Sequence, residues 1–274
     1  MTPLFADVTS INLIAIAADI YALYIAVVVA WALPIHWRFM NFGPTSIYHR
    51  PPRILGRFAL PALRPGTVIF CQLVLIAALL SSIITGGLLH HICLLVALAT
   101  YFCVYSAVAG LETNARKTYL IPLFILVFIA APNTGGTWAE QNVYWPIWAL
   151  KLLICQIYVS AAFQKLKNHG TGWVNQSSFG IYLLRLDLFE DNARARQIGA
   201  RPSIYKPLSL ATLCLQSTFW IILIVPLATP FYMAAGFIFH CGILYLMRIN
   251  YLKYLGGAYL VLLLDSVYIL GLIP

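Results

Sequence analysis

The chain has 274 residues, of which 62% are hydrophobic and only 9% carry a charged side chain. Charged residues make up roughly a quarter of a soluble domain, so this composition excludes an ordinary soluble fold. The apolar runs are long and continuous, whereas a membrane β-barrel alternates apolar and polar residues over short segments. We therefore expect an all-α integral membrane protein whose helices cross the lipid bilayer.

The formal net charge is +9. In a soluble protein this excess would suggest nucleic acid as a partner, but in a membrane protein Lys and Arg first report which side of the bilayer a loop occupies. We therefore predict no nucleic-acid partner. The 6 cysteines lie inside apolar runs without metal-ligand spacing, which predicts neither disulfides nor a metal site.

Eight stretches approach the length of about 20 apolar residues that a helix needs to cross the hydrocarbon core. They predict a bundle of about eight transmembrane helices in a single polytopic domain, residues 1–274. The first stretch has no basic residue before it, so we expect it to persist as a helix and not as a cleaved signal peptide. The predicted spans are 11–33, 67–89, 92–110, 118–131, 146–163, 209–227, 231–247 and 254–272.

The basic residues fall in alternate connections between these spans. Sixteen of the 17 Lys and Arg residues lie in four connections, residues 34–66, 111–117, 164–208 and 248–253. The other connections between predicted spans hold none. Because basic loops prefer the cytoplasmic side, the pattern predicts that both termini are extracytoplasmic.

The longest basic segment contains two further patterns. Between residues 178 and 190, apolar side chains recur at helical spacing with charged residues between them, which predicts a short interfacial helix. A re-entrant cap packed on the bundle fits the same pattern. The stretch 192–207 is basic and contains Pro and Gly, which is typical of a solvated loop against anionic headgroups.

Four acidic or basic side chains fall within predicted spans, where an ionised group costs at least ~2.5 to 3.5 kcal/mol. One interpretation is pairing, with the lysine neutralising one aspartate while the other aspartate is protonated or bonded to a tyrosine. The other interpretation is that these side chains have a function. The histidine is either a core residue whose hydrogen bonds are made within the bundle or part of a ligand pocket. The four are Asp19, Lys151, His240 and Asp265.

The fifth span has a polar stripe. Lys151, Tyr158 and Lys165 are seven residues apart, and Cys155 and Ala162 fall on the same helical face. The small residues leave room for a partner helix or a flat ligand. A lysine partly withdrawn from water can act as a base, although a lysine at a helix end also commonly extends to the headgroups.

The stretch from Gln156 to Trp173 (QIYVSAAFQKLKNHGTGW) resembles a hallmark of the HTTM family, the membrane domain shared with vitamin K-dependent γ-carboxylase. That hallmark is a tyrosine-containing helix, a Lys-Leu pair, a short polar turn and a tryptophan. Two weaker similarities follow the family's order, at Asn114 to Leu120 (NARKTYL) and at Phe239-His240. The resemblance covers roughly residues 111–253.

This resemblance implies an enzyme-like pocket in which Lys165 matches a lysine that deprotonates a reduced quinone. Lys117 stands where the carboxylase has a functional histidine. Because the chain stops after the eighth span, we expect it to lack the large extramembrane domain of the carboxylase. The predicted orientation also places Lys165 on the cytoplasmic side, opposite to the carboxylase. We therefore expect a quinone or lipid ligand without glutamate carboxylation. Short bacterial members of the family also resemble a membrane protein that helps mature a peptide toxin. This similarity adds a membrane-bound peptide as a substrate and implies the inner membrane of a bacterium as the location.

The expected site lies in the cytoplasmic half of the bundle, with Lys165 and Lys117 as catalytic residues. Repulsion between two converging ammonium groups favours loss of one proton, so one lysine would serve as base while the other holds an anion. Alternatively, both lysines face the headgroups. The ligand-binding residues would be Tyr158, Tyr119, Trp173 and His240.

Two functions from different classes therefore remain open. The first is a membrane-embedded HTTM-type enzyme that acts on a quinone, a lipid or a membrane-bound peptide. The second is a non-catalytic subunit of a larger membrane complex, since small and aromatic faces also suit helix docking. A small transporter fits less well, because the sequence has no inverted repeat.

Overall fold

The computed structural model describes residues 4–42, 65–108, 120–131, 145–175, 180–181, 183, 193–247 and 249–270. Within these residues the chain is helical and has no strand, so the predicted all-α class is confirmed. The helices are α1 (Leu4–Phe42), α2 (Pro65–Ile84), α3 (Gly87–Val108), α4 (Leu120–Ala130), α5 (Trp145–His169), α6 (Gly172–Asn175), α7 (Ala193–Gly199), α8 (Pro202–Thr218), α9 (Ile221–Ile224), α10 (Thr229–Met247) and α11 (Leu252–Ile269).

Six segments of the described chain are long and apolar enough to cross a membrane, which makes this a multi-pass membrane protein. Each overlaps one of the eight predicted spans. The other two predicted spans correspond to α4, which has only 11 residues, and to α11, which is not among the six. The six are Ile14–Pro34, Gly66–Ile84, Gly87–Val104, Trp145–His169, Pro202–Ile224 and Pro226–Met247.

The chain divides into two compact units, and α11 contributes residues to both. Unit 1 comprises Met1–Ile147 and Lys253–Val261. Unit 2 comprises Trp148–Leu252 and Leu262–Pro274.

In unit 1, α2 packs against both α1 and α3. α2 and α3 form a helical hairpin, because the two-residue break at Thr85-Gly86 is followed by Gly87 with a φ of 58°. A positive φ is easily adopted by glycine, which has no Cβ atom. The Tyr21 ring of α1 packs edge-on to Phe124 of α4, with ring centroids 5.6 Å apart.

In unit 2, turns set by glycine and proline divide the helices. α5 ends before Gly170, which has a φ of 54°. A glycine with a positive φ commonly follows the last residue of a helix. α8 begins with Pro202, where the missing N–H leaves no hydrogen bond unmade. Val225 is extended, with φ −117° and ψ 90°, as expected for a residue that precedes proline.

The predicted interfacial helix, 178–190, falls mainly outside the described residues; Gly180, Ile181 and Leu183 are helical. The prediction of a solvated loop over 192–207 is wrong, because α7 and the start of α8 occupy this stretch. Pro202 begins a helix here instead of marking a loop. The segment is also anchored by a small apolar cluster that consists of Leu183, Ala195, Tyr205 and Met247.

Candidate functional site

The polar stripe predicted on the fifth span lies on α5 and faces the interior of unit 2. Lys151, Cys155, Tyr158 and Ala162 are buried, and Lys165 is half-buried. Seven residues advance a helix by about 10 Å. The three polar side chains at this spacing therefore form three layers along α5, which we call the Lys151, Tyr158 and Lys165 layers.

The Lys151 layer is a buried ion pair. Lys151 Nζ lies 2.8 Å from Asp265 Oδ2 of α11, and the two side chains are 2% and 0% exposed. An isolated charge in such a place is strongly unfavourable, whereas a close pair compensates much of the desolvation cost. Pairing is thus the interpretation that the structure shows for Lys151, and Asp265 is the aspartate that it neutralises.

The Tyr158 layer is aromatic. The Tyr158 ring stacks on Phe219, with centroids 3.9 Å apart and planes inclined by 3°. Its hydroxyl group lies 2.9 Å from His240 Nε2, within hydrogen-bond distance. Tyr158 is only 1% exposed, so Phe219 fills a face that the sequence left open to a partner helix or a flat ligand.

His240 of α10 completes this layer. Its ring centroid lies 5.1 Å from that of Phe239 and 5.5 Å from that of Tyr251. Beside it on α5, the Cys155 thiol donates a hydrogen bond to the carbonyl oxygen of Phe219 at 3.5 Å. His240 therefore contacts the α5 stripe directly and lies in a packed core.

The Lys165 layer combines a cation, an amide and an indole. Lys165 Nζ donates a hydrogen bond to Gln216 Oε1 of α8 at 2.8 Å. The same Nζ lies 5.2 Å from the centroid of the Trp173 ring, within the range of a cation–π interaction. Lys165 is thus held by Gln216 and Trp173 inside unit 2.

The turn after α5 brings Trp173 back to Lys165. Gly170 adopts its positive φ immediately after the helix, and the Trp173 N–H donates to the Gly170 carbonyl at 3.4 Å. The Ser209 hydroxyl of α8 then donates to the Trp173 carbonyl at 3.0 Å. Hydrogen bonds from the turn after α5 and from α8 therefore fix the backbone of the tryptophan.

The Lys165 layer can take part in proton transfer and in anion binding. In its neutral form a lysine amine accepts a proton, and in its charged form it holds an anion. The Gln216 carbonyl orients that amine and the Trp173 ring gives it a flat neighbour. The Lys165 layer alone combines a half-buried basic group with a planar surface, since the other two layers are closed by their own partners.

The predicted site residues are only partly brought together. Lys165 contacts Trp173, and Tyr158 contacts His240. The predicted second lysine, Lys117, and its neighbour Tyr119 lie outside the described residues.

Asp19 belongs to α1 in unit 1 and is half-buried. It interacts electrostatically with His90 of α3. His90 Nδ1 also lies 2.8 Å from the Ser82 carbonyl oxygen of α2. This aspartate therefore belongs to unit 1, whereas the α5 stripe belongs to unit 2.

Two residues of the site were not predicted. Gln216 is a buried amide inside an apolar helix. It carries no charge, so the rule that singles out acidic and basic residues in the spans does not include it; its strong hydrogen-bonding capacity is the signal that marks it. Phe219 is one of many aromatic residues in the chain. No local signal distinguishes it, because its role depends on how α8 packs against α5.

Among the described residues, no group of three or more His, Cys, Asp or Glu side chains could hold a metal ion. The chain matches no protein-family model, no curated protein and no solved structure.

Proposed function

We propose that this chain is a membrane-embedded enzyme of the HTTM type, which uses Lys165 as a base on a quinone, a lipid or a membrane-bound peptide. The observation that carries the proposal is the Lys165 layer, in which one amine contacts both Gln216 and Trp173. The resemblance rests on this same Lys-Leu, turn and tryptophan pattern. The lysine and the tryptophan of this pattern are therefore in contact as well as close in sequence.

The proposed roles follow from the contacts. Lys165 takes a proton, and Gln216 orients the amine by accepting one of its hydrogen bonds. Trp173 supplies a flat wall beside the amine. Tyr158 and His240 support the site from the neighbouring layer on α5. Lys117 would hold the anion and Tyr119 would contact the ligand, as predicted from the sequence.

A reduced quinone fits the Lys165 layer better than the Tyr158 layer. When bound, it supplies an acidic ring hydroxyl group and a planar ring. A half-buried amine and an indole ring lie side by side in the Lys165 layer, whereas the Tyr158 ring is already stacked on Phe219. A quinone ring would therefore lie against Trp173 with a hydroxyl group towards Lys165.

We also propose the full topology, with about eight spans, an interfacial helix and both termini outside a bacterial inner membrane. The six apolar segments and the alternation of basic loops support it. In this orientation the Lys165 end of α5 faces the cytoplasm. Lys167 and His169 in the last turn of α5 fit that placement.

Oxygen uptake with tetramethylhydroquinone tests the proposed base. The purified chain in lipid nanodiscs should consume oxygen faster than nanodiscs alone, because deprotonation by Lys165 makes the hydroquinone more reactive towards oxygen. Lys165→Met should lower the rate to that of empty nanodiscs. Lys167→Met is the matched control, because it removes an exposed lysine of the same helix end and should keep the rate.

Equal rates for the unmodified chain and Lys165→Met would overturn the proposed role of Lys165, provided that both variants elute as one folded species. Purification in a mild detergent tests the alternative function separately. If the chain copurifies with other polypeptides in fixed stoichiometry and shows no uptake, it is a subunit of a membrane complex.

A further inference from the structure

Two thiols face each other across the α2–α3 hairpin of unit 1. Cys71 of α2 and Cys103 of α3 are not part of a disulfide, and a hydrogen bond joins their side chains. The other described cysteines lie elsewhere along the helices. This pair belongs to unit 1, so it is independent of the α5 stripe and of the proposed function.

The register of the hairpin independently places these thiols together. Near the turn, His90 Nδ1 lies 2.8 Å from the Ser82 carbonyl oxygen, so these positions are opposite each other. In an antiparallel hairpin, moving back along one helix corresponds to moving forward along the other. Cys71 lies eleven residues before Ser82, and Cys103 lies thirteen residues after His90. The two counts differ by two residues, or about 3 Å along a helix, so the cysteines fall close to the same level.

Both side chains are partly exposed, in helices that are apolar enough to cross a membrane. Cys71 lies near the beginning of the segment Gly66–Ile84, and Cys103 lies near the end of Gly87–Val104. The two thiols are thus close to the same edge of the hairpin. A molecule dissolved in the bilayer can reach a partly exposed side chain of such a helix.

We propose that Cys71 and Cys103 are a redox-active dithiol, which a quinone dissolved in the bilayer oxidises to a disulfide. The two S–H bonds break and one S–S bond forms. The thiols lose two electrons and two protons, and the quinone gains both to become a hydroquinone. The reaction therefore balances without any further reactant.

The product would link α2 covalently to α3. Disulfide formation requires cysteine Cα atoms within about 7 Å of each other, a separation that facing residues of closely packed helices approach. The link would restrict sliding of one helix along the other. A dithiol that is exposed to its oxidant is also the kind that cycles between redox states instead of serving as a permanent crosslink.

Thiol counting with duroquinone as the probe tests the proposal. This quinone carries four methyl groups, so it has no free ring position to which a thiol could add with loss of hydrogen. The reduced full-length chain in nanodiscs is incubated with excess duroquinone without oxygen, and its free thiols are counted with a maleimide reagent after denaturation. We expect two of the 6 thiols to be lost, with one duroquinone reduced per chain and a Cys71–Cys103 peptide seen by mass spectrometry.

The variants separate this pair from the other cysteines. Cys71→Ser and Cys103→Ser should each lose no thiol, whereas Cys93→Ser, which removes another partly exposed thiol of α3, should still lose two. The proposal is overturned if the chain keeps all its thiols, if either pair variant still loses two, or if the disulfide joins other cysteines. If copper phenanthroline links Cys71 to Cys103 but duroquinone does not, quinone oxidation is likewise refuted.

Discussion

At the scale of single residues, α5 shows how polar side chains are accommodated inside a membrane helix. Lys151 is paired with Asp265, and Lys165 is held by Gln216 and Trp173. The sequence predicted which positions on α5 share a face, because helical spacing is local. It left open which aspartate pairs with Lys151, since that choice depends on which distant helix packs against α5.

The ion pair gives a direct stability prediction. Lys151→Met should lower the free energy of unfolding by about 3–5 kcal/mol, because Asp265 then keeps a buried charge without this cation. Unfolding in mixed detergent micelles measures the difference. Lys167→Met, at an exposed position of the same helix, should change the stability little.

The double variant Lys151→Met/Asp265→Leu provides the decisive comparison for this pair. Replacing both charges by apolar side chains removes the desolvation cost together with the attraction, so it should restore most of the lost stability. If the effects of the two single substitutions simply add, the two side chains do not act as a pair.

At the scale of helices, the length of each apolar run located the helices correctly but placed their ends less accurately. Predicted span 146–163 became Trp145–His169, because the polar residues after Phe163 continue the same helix. Predicted span 209–227 became Pro202–Ile224. In both cases hydropathy located the apolar centre, whereas the ends depend on packing and on turns such as the one at Gly170.

In unit 1, Gly257 of α11 lies close to the ring of Tyr21. A Cβ atom added at Gly257 of α11 would lie 2.7 Å from Cδ2 of Tyr21, which is too close for two carbon atoms. Gly257→Ala should therefore destabilise the protein by about 1–3 kcal/mol, the usual effect of overpacking. Thermal unfolding of the purified variant measures it.

Gly242→Ala on α10 is the matched control, because no atom lies within 4 Å of the added Cβ. Alanine favours a helix over glycine by about 0.5–1 kcal/mol, so this variant should be slightly more stable. If Gly257→Ala is as stable as Gly242→Ala, the close approach of α11 to Tyr21 is refuted.

At the scale of the whole molecule, composition was sufficient to predict a helical, multi-pass membrane protein, and six apolar segments agree with it. The division into two units was not predicted, because it depends on contacts between residues far apart in sequence. The sidedness is a proposal that rests on the basic loops alone. It determines where the Lys165 layer faces, and the proposed function places that layer at the cytoplasmic end of α5.

Cysteine labelling in intact cells tests this placement most directly. Ser203 is exposed at the start of α8, in the basic segment that follows α5. Ser203→Cys should react with a membrane-impermeant maleimide only after the cells are opened, whereas Thr137→Cys, in a connection without basic residues, should react in intact cells. The unmodified chain gives the background from its own cysteines. Labelling of Ser203→Cys in intact cells would contradict the account, because the Lys165 layer would then face the outside.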